Sequence, residues 1–252
     1  MPWPEEAIRR ALAPLLPGLQ LEVLPQVEST NSELMRRARA GQRDRILLVA
    51  EQQTAGRGRL GRDWHSTAGE SLTFSLGLPL APGDWSGLSL AVGASLAESL
   101  HPRIRLKWPN DLWLDDRKLA GILIETASFG EAEAQRYAVV GIGINIRERQ
   151  ARGFSTAPAW LGELLPEVDA GAALLRIAAP LVQAILAFET FGFAPFQSRF
   201  DSRDALRDRA VSLSDGTTGT AHGITEAGAL LVMTAGGMKT VTSSEVSVRP
   251  RP

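Results

Sequence analysis

The chain has 252 residues, 44% of them hydrophobic, enough for one substantial α/β domain with an ordinary buried core and a small appendage. Lys and Arg total 27 against 28 for Asp and Glu, so there is no global field to hold DNA, RNA or an anionic membrane, and any nucleotide binding is expected to be local. The absence of cysteine excludes disulfides, thiolate metal sites and every mechanism through a cysteine thioester.

Residues 1–16 carry Glu5, Glu6, Arg9 and Arg10 among apolar positions, which fits neither a signal peptide nor a membrane span; a soluble, cytoplasmic protein is expected. Pro4 can open a helix in which Ile8, Leu12, Leu15 and Leu16 recur at helical spacing, ended by Pro17-Gly18. Thr30-Asn31-Ser32-Glu33 has the capping-box form, which starts a second helix immediately after Ser29 and stops it near Gly41. Residues 46–50 and 71–78 read as strands, separated by a glycine- and arginine-rich segment without periodicity, the mark of a functional loop. Leu88, Ala91, Val92, Leu96 and Leu100 mark a helix; an extended run over 104–108 and a hairpin turning at Asp115-Asp116 follow, then a strand over 137–146. Helical spacing returns over 170–191, and 211–248 hold short β runs broken by Asp215-Gly216, Gly228 and Gly236-Gly237. This irregular order predicts an α+β protein, with a mixed sheet and flanking helices over 1–203 and a small β-barrel domain over 204–252.

The most informative stretch is Gly56-Arg57-Gly58-Arg59-Leu60-Gly61-Arg62-Asp63-Trp64. Its glycines permit close backbone approach and its arginines offer fixed forks of donors, so an anion is expected there. It also satisfies G-x-G-x-x-G, but the dinucleotide version must open a helix, and here the chain leads into a strand. Only Leu60 offers an apolar anchor for this loop, which is therefore expected to order around ligand.

In Lys107-Trp108-Pro109-Asn110-Asp111, strand alternation puts Arg103, Arg105 and Lys107 opposite Ile104, Leu106 and Trp108, so Lys107 is expected to be solvated; Asn110 and Asp111 alone would read as turn formers. The same alternation puts Lys118 on a face with Ala120, Ile122 and Ile124, where its ammonium must snorkel or meet an anion. Gly141, Gly143 and Asn145 share a face that has almost no side chains, which suggests a ligand or another backbone passing close by, with a bulge as the competing explanation. His65, His101 and His222 lie in different elements without metal-ligand spacing, and no metal site is proposed.

Taken in order, Ser29-Thr30-Asn31, the run 53–64, Lys107 to Asp111, Arg117-Lys118-Leu119-Ala120-Gly121-Ile122-Leu123 and Gly141-Ile142-Gly143-Ile144-Asn145 resemble the biotin protein ligases, with Gly228-Ala229-Leu230-Leu231 similar to their C-terminal SH3-like domain. The resemblance implies a class II synthetase-like sheet plus an SH3-like barrel, and an enzyme that makes biotinyl-AMP from biotin and ATP with Mg2+ before biotinylating a lysine of a biotin carboxyl carrier protein. By the same resemblance, Ser29, Thr30 and Asn31 hold the biotin head, with Gln53 and the backbone around Arg57 and Gly58 closing over it; Arg57 and Arg59 border the biotin and, with Arg62, order around the phosphates. Lys118 neutralises the biotin carboxylate and the α-phosphate, and with Arg57 and Arg59 forms the catalytic set. Arg62, Trp64, Asn110, Asp111, Gly141, Gly143 and Asn145 serve the nucleotide, Asp111 by positioning a cation of the cluster.

About one helix precedes Glu28, too little for the winged helix of repressor-type relatives, so no nucleic-acid binding is expected; a homodimer is an expectation from the resemblance only. Residues 242–247 depart from the family pattern by lacking a glycine before Glu245, which puts a specific nucleotide contact from that domain in doubt. The rivals are a lipoate ligase or octanoyl transferase, the transferase disfavoured by the missing cysteine and both by the 56–64 motif, and a catalytically silent sensor, disfavoured by Lys118 and the arginine loop.

Overall fold

The computed structural model describes residues 3–129, 135–148, 156–242 and 248–250. In chain order its elements are α1 (Glu5–Leu12), β1 (Gln20–Val27), α2 (Thr30–Arg39), β2 (Ile46–Gln53), β3 (Gly56–Arg57), β4 (Asp63–Trp64), β5 (Ser71–Leu80), α3 (Leu88–Leu100), β6 (Arg105–Lys107), β7 (Asp111–Leu114), β8 (Arg117–Ala127) and β9 (Arg136–Asn145). Then come α4 (Ala170–Phe191), α5 (Gln197–Asp201), β10 (Ala210–Leu213), β11 (Thr218–Ile224), β12 (Leu230–Thr234), β13 (Gly237–Val241) and β14 (Val248–Pro250). Seven strands form a mixed sheet in the order β1-β2-β5-β9-β8-β7-β6, parallel only between β1 and β2. Five more form an antiparallel C-terminal sheet in the order β13-β12-β11-β10-β14. The expected α+β class holds at this level: a mixed sheet with helices and a strand-rich C-terminal part.

β5 shows why the large sheet has two unlike faces. Leu72, Phe74, Leu76 and Leu78 join the main core, which also takes in α3 and α4. Ser71, Thr73, Ser75 and Gly77 point the other way, and Ser75 meets α2. Each of these fully buried leucines contributes on the order of 2 kcal/mol through removal from water, so the apolar face sets the strand's orientation and leaves the polar face for a site. Among the described residues α4 alone is long and apolar enough to cross a membrane. Here its buried Leu174, Ile177, Leu181, Ile185 and Phe188 belong to the protein core.

The C-terminal part is tied to the sheet at two places. Leu106 N–H donates to Arg203 O and Ala205 N–H to Leu106 O, both at 2.8 Å, so backbone from the connecting segment covers the outer edge of β6. The buried Trp108 Nε1 donates to Gly228 O at 3.0 Å.

Several local expectations need correction. α1 ends at Leu12, and Leu15 and Leu16 follow in a turn. β1 was not anticipated; its burial is irregular and Pro25 interrupts it. The cap of α2 is Ser29, whose Oγ accepts from Ser32 N–H at 3.4 Å, while Glu33 pairs with Arg36 and Arg37 instead of completing a capping box. The loop after β2 contains a short β3–β4 ribbon joined through Leu60 in a left-handed conformation. Leu60 is exposed and anchors nothing. Of the 242–247 departure, 243–247 lie outside the described residues.

Candidate functional site

The polar face of the sheet carries a buried cluster at the N-terminus of α2. Ser29, Thr30 and Asn31 are each 3% exposed. Gln53 Oε1, at the end of β2, accepts from Thr30 N–H at 2.7 Å and Thr30 Oγ1 at 3.1 Å. The Ser75 hydroxyl donates to Asn31 Oδ1 at 2.6 Å and lies 2.7 Å from Thr30 Oγ1, and Asn31 Nδ2 donates to Leu123 O and Glu125. Such a set of donors and acceptors in a dry environment suits a neutral polar ligand head.

Next to it runs the glycine face. Gly121 pairs with Gly143 across β8 and β9, and Gly141 stands two residues further along. A Cβ at Gly141 would overlap the Asn31 amide, and one at Gly143 would overlap the Trp64 indole. The empty face therefore seats side chains of this chain, Asn31 and Trp64, and no second backbone. Trp64 Nε1 is buried there without a hydrogen-bond partner. Asn145 is used differently again: its Nδ2 donates to Ala159 O at 3.0 Å and Lys118 O at 3.4 Å, tying β9 to its surroundings.

Asp111 lies between two lysines, 2.7 Å from Lys118 Nζ and 3.8 Å from Lys107 Nζ. Both lysine placements correct the alternation argument. Lys107 is not solvated: it is 9% exposed, with its ammonium 5.1 Å from the centre of the Trp113 ring. Alternation did send Ile104, Leu106 and Trp108 into the core, and on the opposite face Arg103 and Arg105 are exposed while Lys107 alone is covered. Lys118 does not share a face with Ala120 and Ile122. The β7–β8 register shifts between Leu112 and Trp113, so Leu112 faces Ala120 while Trp113 faces Lys118, and the extra residue reverses side-chain parity. The Lys118 amine thus lies beside Gly121, 5.9 Å from the Trp64 ring centre.

The electrostatics point to an anion. Burial pushes the Lys107 ammonium below its ordinary pKa; Asp111 opposes that shift, while Lys118, Arg62 and Arg249 add to it. Burial likewise lowers Arg59, with Asp111 opposing and Arg62 adding. Lys118, Lys107 and Arg59 all act on the carboxylate of Asp111, and Arg62 and Arg249 add positive charge felt at Lys107, a charge excess that favours a polyanion. Arg59 reaches Asn110 Oδ1 at 3.4 Å, and Asn110 Nδ2 donates to Ile122 O at 2.7 Å. Arg57 turns instead to Glu125, with its Nη2 2.9 and 3.0 Å from the carboxylate oxygens. Gly58 is kept close to the ribbon by its N–H bond to Arg62 O.

Sequence reasoning missed Thr73, Ser75, Glu125 and Arg249. The first two had a signal in the strict Ser71-Thr73-Ser75 alternation of β5; Glu125 and Arg249 had none, since their partners are far away in the chain. His65 and His222 are exposed and His101 half-buried, and among the described residues no three His, Asp or Glu side chains gather into a cation site.

Comparison with known proteins agrees with this arrangement. The biotin/lipoate A/B protein ligase family matches residues 23–145, and the biotin protein ligase C terminal domain matches 209–249. The bifunctional ligase/repressor BirA of Escherichia coli (strain K12) is 38% identical over 249 residues, covering 93% of this chain and 75% of that protein. The biotin–(acetyl-CoA-carboxylase) ligase of Paracoccus denitrificans is 31% identical over 242 residues, covering 89% and 98%. The solved structure of the biotin protein ligase from Aquifex aeolicus in complex with biotin and ATP superposes with a TM-score of 0.76 at 30% identity, covering 92% of this chain and 99% of that one. By its sheet, its site and these relatives, the chain belongs to the biotin protein ligases.

Proposed function

We propose that this site carries out both half-reactions of an ATP-dependent biotin protein ligase, with the residues assigned as follows. The observation that carries the reading is the adjacency of a dry amide–hydroxyl cluster and a group of cations at Asp111, with Lys118 at the boundary. Ser29, Thr30, Asn31 and Gln53 take the neutral head of biotin, and the backbone at Arg57 and Gly58 closes over it. The biotin carboxylate oxygen attacks the α-phosphorus of ATP and the bond to pyrophosphate breaks. Lys118, held by Asp111, neutralises both reacting anions. Arg59 and Arg62 face the phosphates with Lys107 as charge in the floor beneath them, and Trp64, seated on Gly143, offers a wall to adenine. Asn110 steadies Arg59, while Gly141 and Asn145 keep the floor narrow. In the second step the amine of a carrier lysine attacks the mixed anhydride, AMP leaves, and the amine gives up a proton. Positioning and electrostatics supply the catalysis, and no covalent enzyme intermediate is needed.

Mg2+ neutralises phosphate charge when bound. With one carboxylate, Asp111, at the cation cluster, the ion is read as arriving on the nucleotide, as Mg2+ commonly does. The acceptor is read as a biotin carboxyl carrier protein of a carboxylase, and the setting as cytoplasmic. Residues 1–203 are read as the catalytic unit and 204–252 as an SH3-like unit, supported by the five-stranded C-terminal sheet. A homodimer remains part of the reading; nucleic-acid binding does not, since the net charge of -1 gives it no support. Incubating the protein with biotin, ATP, Mg2+ and a carrier domain and blotting with avidin tests the whole: a labelled carrier, dependent on ATP, is expected, and an unlabelled one overturns the assignment.

A further inference from the structure

Among the side chains through which the loop between β2 and β5 meets the large sheet, three reach across the site: Trp64 on Gly143, Arg59 at Asn110, and Arg57 at Glu125. Of these three sheet partners, Glu125 also accepts a hydrogen bond from the buried cluster, from Asn31 Nδ2 at 2.9 Å. It stands on β8, 68 residues from Arg57, on the strand face it shares with Gly121 and Leu123. From Asn31 the bonds continue through Ser75 and Thr30 to Gln53, whose side-chain amide lies against Gly56, the residue before Arg57. The circuit leaves the loop at Arg57, crosses the site through Glu125, and returns to the loop's base. A carboxylate suits this point because its two oxygens can take an amide N–H and a guanidinium together.

We propose that Glu125 is a positioning residue that couples the cluster at the α2 N-terminus to closure of the 54–70 loop, and so sets how much adenylate is retained for the carrier. The inference rests on the ligase reading. A ligand head that orders Asn31 fixes the Glu125 carboxylate, and a fixed carboxylate holds Arg57 and the ribbon over the site. When the loop opens, Glu125 keeps only Asn31. An ordinary surface ion pair would share the distance but none of this coupling.

The test uses the intact protein and the substitutions Glu125→Gln and Glu125→Ala. Free biotinyl-AMP released per carrier labelled, biotin KM and kcat are measured at low and high salt. Loss of a half-exposed ion pair is expected to raise release by about three- to fivefold in both variants. In the parent, release climbs with salt as the pair is screened, and in Glu125→Gln it does not. Glu125→Ala also raises biotin KM more than it lowers kcat, because the Asn31 Nδ2 then retains only Leu123 O as acceptor. Should Glu125→Ala melt too low to assay, the isosteric Gln variant decides alone. Release and its salt response within about twofold of an active parent would overturn the proposal. A parent that makes no biotinyl-AMP at all would instead bring down the ligase reading, and this inference with it.

Discussion

Asp111 holds Lys118 at 2.7 Å and Lys107 at 3.8 Å, so one carboxylate serves two ammonium groups of very different exposure: 43% for the Lys118 side chain and 10% for that of Lys107. Lys118 can reach a ligand; Lys107 mostly holds the floor. Lys118→Ala is therefore expected to lower ATP–pyrophosphate exchange on the order of a hundredfold or more, the scale of removing one positioned charge from a reacting centre. Lys107→Ala should lower it less and depress the thermal midpoint, since it empties a packed position under Trp113 while Asp111 keeps its shorter pair. The reverse ranking would show that Lys107 is the reacting cation. A second residue-scale prediction concerns Asp204, where the connecting segment meets β6. Burial pushes its carboxyl up to about 6, against the hydrogen bond from Leu206 N–H that works downward. With the folded pKa above the unfolded one, the group favours folding at pH below the ordinary carboxylate value, and that contribution is lost as pH rises through about 6. Asp204→Asn should thus stabilise the protein at pH 8 by on the order of 1 kcal/mol, a few degrees in thermal midpoint, and hardly at all at pH 4.5. Equal shifts at both pH values would refute the buried-charge explanation.

At the scale of elements, the site depends on strands that carry almost no side chains where others need room. Gly141 and Gly143 on β9 make space for Asn31 and Trp64, and the bulge in β8 turns Lys118 toward the same space. The β3–β4 ribbon lies over this floor, held by side chains at its ends, with Leu60 exposed at the tip. Arg59 is the half-buried arginine of that ribbon and bonds to Asn110. Arg59→Gly removes this contact and also raises the entropy of the open loop, by about 1 kcal/mol or somewhat less for the glycine alone. Both effects favour escape of biotinyl-AMP, whereas its formation leans on Lys118. The variant is expected to label bystander proteins that the parent leaves unlabelled, as read on an avidin blot of a protein mixture. Biotin plus ATP should protect 57–62 from limited proteolysis in the parent and much less in the variant. Unchanged selectivity together with unchanged protection would make Arg59 an ordinary surface charge.

Across the whole molecule, the C-terminal sheet is placed by contacts with the same segment that carries Lys107. Trp108 is fully buried and donates to Gly228 O, and Gly228 in turn packs against Gly87 and Leu90 at the start of α3. Arg249 of β14 comes close enough to act on Lys107. Trp108→Phe keeps most of the apolar volume but leaves the buried Gly228 carbonyl without its donor, at a cost of about 1–3 kcal/mol. A lower thermal midpoint and a raised KM for ATP are expected together, because loosening the C-terminal sheet withdraws Arg249 from the cation cluster. A drop in stability with unchanged KM would show that the two parts work independently.

Much of this was legible without the structure, and for a local reason. α3, α4, the hairpin turn at Asp115-Asp116 and the C-terminal turns all follow from periodicity or turn chemistry within a few neighbouring residues. So does the sorting of Ile104, Leu106 and Trp108 into the core. The grouping of the 29–31, 53–64, 107–111, 117–123 and 141–145 segments into one site came from their resemblance in order and spacing to a family. Tertiary structure alone decided which way the lysines face, because the β8 bulge arises from its register with β7 and the cover on Lys107 comes from other parts of the chain. It also decided that Arg57 answers to Glu125 and that Arg249 approaches the cation cluster. Those pairings join residues dozens to more than a hundred positions apart, where neither period nor propensity carries information and only the packing of one element on another does.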